Sequence, residues 1–221
     1  MAIDDNQVSR EAVLARVRAA LHREGPDDEA RAAAHAYLAA RRQGPRPALP
    51  ADLVSRFLDR AADMSSTTER VGTIEAVPAA VARYAASLGV ASASAVCWPE
   101  FASLDWRAAG VGVDVRPAAG EDAMGITGCF CAIAETGTLV FASSSDTPPA
   151  TFLLPETHVA IVRGAQIVAG MEDAFARLRE ERTEMPRALN LVSGPSRTGD
   201  IEQTIVLGAH GPRRVHIVLV G

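Results

Sequence analysis

Apolar side chains recur at helical spacing near the start of the chain, at Val13, Val17, Ala20 and Leu21, with Ser9 placed as an N-cap. Gly25-Pro26 interrupts the pattern, and a second helix is expected over residues 27–43. Its acids stand at the start and Arg41-Arg42 at the end, as the helix dipole prefers. Gly44-Pro45-Arg46-Pro47 stops it, and a third amphipathic stretch covers 52–64. No strand signal occurs in this region, so residues 1–67 read as a helical arm.

After Ser65-Ser66-Thr67-Thr68 short runs rich in β-branched residues alternate with helical ones. Strands are expected near 70–77, 91–97, 112–116, 138–143, 158–163, 188–193 and 215–220, and helices near 78–88, 170–182 and 200–207. Val159-Ala160-Ile161-Val162 and Ile217-Val218-Leu219-Val220 are apolar on both faces, which suits central strands covered on each side. Residues 68–221 therefore predict an α/β domain built on a three-layer, mostly parallel sheet.

A chain of 221 residues has room for one large α/β domain, or for an ordinary domain with a helical appendage. Aromatics are 5% of it while Ala alone fills 42 positions, so the core must be built from Ala, Val, Leu and Ile. Its 22 basic side chains are all Arg, and this absence of Lys excludes a Schiff-base lysine, a Walker-A lysine and a lysine general base. A net charge of −5 lacks the footprint of a nucleic-acid binder. The first residues carry early acids and no apolar core of a signal peptide, and no run approaches the ~20 apolar residues of a membrane span. The expectation is a soluble, cytoplasmic protein without membrane insertion.

Three cysteines, Cys97, Cys129 and Cys131, do not make a disulfide framework, and they are one thiolate short of a self-contained four-thiolate cluster. No metal site is expected, and the two closely spaced thiols read more readily as buried packing groups than as reactive ones.

Three loop-rich segments carry the candidate chemistry. In Ala134-Glu135-Thr136-Gly137-Thr138 a single Glu sits in a small, apolar stretch, where it either serves a proton-transfer or ligand role or fixes the turn through backbone amides. In Ser193-Gly194-Pro195-Ser196-Arg197-Thr198-Gly199-Asp200 hydroxyls, a guanidinium and glycines stand before an expected helix start, an arrangement suited to an anion. Asp200 with Gln203 also reads as a capping box that needs no ligand. In Gly208-Ala209-His210-Gly211-Pro212, His210 is either a proton carrier or a turn residue. His158 and His216 fall in strands and read as structural. Loops leaving the carboxyl ends of parallel strands converge on one edge, so Glu135 and the 193–198 loop are expected to face one cleft with His210 at its rim.

Read with Leu153-Leu154-Pro155-Glu156-Thr157-His158, these segments closely resemble the lactate-utilization protein C family (LUD domain, LutC/YkgG), four motifs in one order. The resemblance implies a NagB/RpiA/CoA-transferase-like fold. It also implies membership of a three-protein system oxidising L-lactate to pyruvate, with iron–sulfur clusters in the partner subunits and no cofactor in this chain. On this reading Glu135 and His210 handle a proton. A small anion or a partner subunit is then bound by Thr136, Gly137 and Thr138 with Ser193, Gly194, Ser196, Arg197, Thr198 and Asp200, Arg197 taking the anion's charge. Glu135-Thr136-Gly137 is also similar to the Glu-Asn-Gly turn of CoA transferases, apart from its middle residue. The alternative is therefore an independent CoA-transferase-like or hydrolase-like enzyme using Glu135 on an acyl or phosphorylated small molecule. Lysine-dependent isomerases and cyclo-ligases of related folds are disfavoured, since the chain has no Lys.

Overall fold

The structure, a computed structural model, describes residues 5–22, 27–89, 94–198 and 206–221. Two compact units divide the chain, Met1–Arg46 and Pro47–Gly221. The first holds α1 (Asp5–Ala20) and α2 (Asp28–Ala40). Helix α1 begins four residues before the expected cap at Ser9, whereas α2 is capped as its sequence suggests, Asp27 accepting from the Ala30 amide at 2.8 Å. The expected break at Gly25-Pro26 lies outside the described residues.

The second unit opens with α3 (Leu53–Asp63), capped by Asp52, which accepts from the Ser55 amide at 3.0 Å. Phe57, Leu58 and Ala61 on one face of α3 are buried in the main core. The third helix is thus part of the α/β body, and the compact unit begins at Pro47, before the boundary expected at Thr68.

The remaining elements are β1 (Thr67–Val71), α4 (Val77–Ser87), β2 (Ser94–Cys97), β3 (Gly112–Val115), β4 (Met124–Thr127), β5 (Cys131–Ile133), β6 (Thr138–Ala142) and α5 (Ala150–Leu153). They continue with β7 (Thr157–Arg163), β8 (Ile167–Val168), α6 (Met171–Glu181), β9 (Leu189–Val192), β10 (Arg197–Thr198), β11 (Val206–Leu207) and β12 (Arg214–Val220). A six-stranded, fully parallel sheet runs β1-β12-β7-β4-β2-β3. The expected strands at 138–143 and 188–193 are present as β6 and β9, but they lie in a second, mixed sheet, β8-β5-β6-β9. The helix expected over 200–207 is replaced at Val206–Leu207 by β11, which pairs with β10; residues 199–205 lie outside the described residues.

Register fixes which face each side chain takes. His216 stands beside Val159, and its ring stacks on Tyr84 of α4 at 3.9 Å, so α4 covers that face of the parallel sheet. His158, one position earlier on β7, points the other way, toward Phe141 of β6 at 5.6 Å and Phe152 of α5 at 5.9 Å. The second sheet and α5 therefore cover the opposite face, and α6 packs on the outer side of that sheet, where Ala174 meets Cys131, Ile133 and Val140. Gly125 permits this layering: a Cβ there would stand 1.8 Å from the Thr151 carbonyl oxygen of α5.

Candidate functional site

The β5–β6 connection is a tight turn. The Gly137 amide donates to the Ile133 carbonyl at 2.9 Å with Gly137 at φ +68°, and the Glu135 amide donates to Ala169 at 3.0 Å. The Glu135 carboxylate, half-buried, has no hydrogen-bond or ion-pair partner among the described residues. From the same turn Thr136 and Thr138 share a hydroxyl contact of 2.7 Å, and Thr138 meets the Ser193 hydroxyl at 2.6 Å. Pairing of β6 with β9 brings Thr138 next to Ser193, so the first two motifs meet through a chain of three hydroxyls.

Past Ser193 the loop turns toward the end of α3. Gly194, at φ +75°, lies against Met64, and Arg197 donates to the Met64 carbonyl at 3.2 Å and to the Ser65 hydroxyl. Gly137 sits against the same helix, a Cβ there coming within 2.5 Å of the Ala61 nitrogen. Both motif glycines therefore admit the close approach of α3. The hydrogen bonds of Arg197 go to a helix-end carbonyl and a hydroxyl, not to Glu135.

Ser196 ties this loop to the third motif. Its amide donates to Pro212 at 2.9 Å, its carbonyl accepts from Gly208 at 2.9 Å, and its hydroxyl accepts from the His210 amide at 3.3 Å. The His210 ring is exposed, and no contact joins it to Glu135. Thr198 is buried within the β10–β11 pair, and Asp200 lies outside the described residues.

These loops gather at the amino edge of the parallel sheet, where α3 hands over to β1 and where β12 begins. The expected location was the carboxyl edge, and the difference follows from topology. Strand β5 turns back over the sheet after β4, so the β5–β6 turn returns to the edge at which β4 starts.

Two adjoining cavities open at this edge. The larger, about 520 Å³, is lined by Asp122, Leu154, Glu156, Gly208, Gly211 and Arg213. The smaller, about 140 Å³, is lined by Leu88, Ser94, Met124, Glu156, Thr157 and Arg214. Glu156 belongs to both, 3.1 Å from Arg214 and 3.7 Å from Arg213. Across the larger cavity Asp122 takes both arms of Arg116 at 2.7 Å, and that guanidinium holds its carboxyl below the usual range. In the sequence Glu156 and Thr157 fall in a motif string that assigns them no role, and Arg213-Arg214 lies outside every motif. The available signal was a pair of adjacent arginines immediately before an apolar strand.

The three thiols do not suit an iron–sulfur cluster. All are buried and unbridged, and burial pushes Cys97 and Cys131 up to about 11 and Cys129 higher still, away from the thiolate that ligation requires. Cys129 packs in the main core and Cys131 in the layer under α6. Among the described residues no group of three or more His, Cys, Asp and Glu is placed to hold a metal ion, and no helix is long and apolar enough to cross a membrane.

Comparison with known proteins agrees with this architecture. The model of the LUD domain matches residues 14–220. Lactate utilization protein C of Deinococcus radiodurans is 35% identical over 189 residues, covering 80% of this chain and 84% of that one. The Bacillus licheniformis protein of the same name is 34% identical over 127 residues, 53% of its length, and the Bacillus subtilis one 38% identical over 100 residues, 42% of its length. The chain thus matches about half or less of these two relatives. The crystal structure of a DUF162 family protein from Deinococcus radiodurans superimposes with a TM-score of 0.55 at 26% identity, covering 79% of this chain and all of that one. With a family model matched along nearly its whole length and a relative matched along most of its own, this chain belongs to the LUD domain family.

Proposed function

We propose that the chain serves lactate utilization as a subunit of a cytosolic iron–sulfur complex that oxidises L-lactate to pyruvate, carrying no redox centre of its own. Its relatives' names supply the metabolic context. The observation that carries the reading is the gathering of the motif loops at one sheet edge beside arginine-lined cavities.

Oxidation of lactate releases two electrons and two protons, and iron–sulfur clusters in the partner subunits supply the electron sink. The residues of this chain then bind and dock. The unpartnered Glu135 carboxylate and the exposed His210 ring are available to a proton or to a partner. Arg197, anchored on Met64 and Ser65, keeps further N–H donors for an anion or a partner's carboxylate. Anaerobic co-purification from the native host, with iron analysis and lactate-dependent dye reduction, tests this reading. Iron should co-elute with the chain, and deleting the chain should abolish dye reduction. Elution of the chain alone, with dye reduction intact in its absence, would overturn it.

A further inference from the structure

We infer that the smaller cavity at the amino edge of the parallel sheet is a binding site for a short 2-hydroxycarboxylate, with Arg214 as its charge anchor. The inference rests on the lactate reading above and locates its ligand.

Size sets the first constraint. At about 30 Å³ per water, a space of about 140 Å³ holds four or five of them, which suits a three- or four-carbon acid.

Charge sets the second. Glu156 is shared by two guanidinium groups, so this cluster carries one positive charge in excess. Arg214 uses a single nitrogen, Nη1, for Glu156 at 3.1 Å and for the Thr157 hydroxyl at 3.4 Å. Its Nε and Nη2 donors have no partner among the described residues and can take a carboxylate.

The remaining walls select the rest of the ligand. Thr157 is 3% exposed, and the partner of its hydroxyl is a donor, so its own proton is left for a ligand oxygen. Ser94 adds a second hydroxyl, while Leu88 and Met124 form an apolar wall for a short alkyl group. The Glu156 carboxylate, held by two arginines, presents acceptor oxygens, so it favours a ligand with an O–H beside its carboxylate and disfavours the corresponding oxo acid.

Isothermal titration of the full-length chain with sodium L-lactate, pyruvate and propionate tests the site. L-Lactate should bind saturably and more tightly than either analogue. Arg214→Gln should weaken it roughly ten- to a hundredfold with an unchanged circular dichroism spectrum. Ser94→Ala, at an exposed position, guards against a folding failure and should weaken binding severalfold. Arg177→Gln, on α6 and outside the cavity, should leave binding unchanged. Absent lactate binding, binding unaffected by Arg214→Gln and Ser94→Ala, or equal affinity for propionate would each overturn the assignment. If the inference alone fails, dye reduction still requires the chain but tolerates Arg214→Gln. If the lactate reading fails, dye reduction proceeds without the chain.

Discussion

Gly194 lies so close to Met64 that a Cβ at this position would stand 2.0 Å from the Met64 carbonyl oxygen. Its φ of +75° is also one that a residue with a side chain adopts at a cost. Gly194→Ala must both strain the loop and push α3 outward, and should lower stability by about 3 kcal/mol. Urea denaturation measures the loss. An unchanged midpoint would show that the loop and α3 are not held together as described.

Arg197 separates structural from ligand effects. Its hydrogen bonds to Met64 and Ser65 are exposed, so Arg197→Ala should cost about 1 kcal/mol of stability in the absence of any ligand. Lactate-dependent growth of the same variant then reads its role in the complex. A large fall in melting temperature with normal growth would make Arg197 purely a helix-end clamp.

Truncation tests the domain boundary. A chain starting at Pro47 should retain a cooperative thermal transition, because α3 and the α/β layers form one compact unit. A chain starting at Thr68 loses Phe57 and Leu58, each contributing about 1.5–3 kcal/mol by burial, and should be molten or insoluble. Near-ultraviolet circular dichroism of the two chains distinguishes these outcomes.

Two buried histidines give stability a pH dependence. Burial lowers His158 to about 3 and His216 to about 4 from an ordinary 6.5, so the fold binds their neutral forms. Their stabilising contribution is complete above pH 6.5 and declines as the pH falls toward 4 and 3, because the unfolded chain takes up the protons first. At pH 5 each should have lost about 2 kcal/mol relative to neutral pH. Urea titrations between pH 7 and 5 should show the decline, and His216→Gln should reduce its slope by about one proton. An identical slope in the variant would remove His216 from the account.

The sequence made the centre of the fold legible and hid its second layer. β7 and β12 read as central parallel strands because both of their faces are apolar. β6 has a similar apolar vocabulary, and no periodicity tells which of two stacked sheets a buried strand joins. β4 escaped notice because Gly125 breaks its apolar run, and the reason for that glycine is Thr151, on a different element. α3 showed its amphipathic face but not its target. At the site, the motif strings identified the loops that converge. Glu156 and Arg214 meet only because β12 lies beside β7, a neighbourhood that Thr157 and Arg214, 57 positions apart, do not announce.

The position of β12 between β1 and β7 has a consequence for biosynthesis. β1 has no neighbour in the parallel sheet except β12, so β1 waits without a sheet partner while the intervening strands are made. During translation the edges of β1 and β7 that β12 will join are both unpaired until residues 214–220 emerge from the ribosome. The interval between synthesis of the first strand and the last is then the period in which this chain is most exposed to aggregation and most dependent on chaperones.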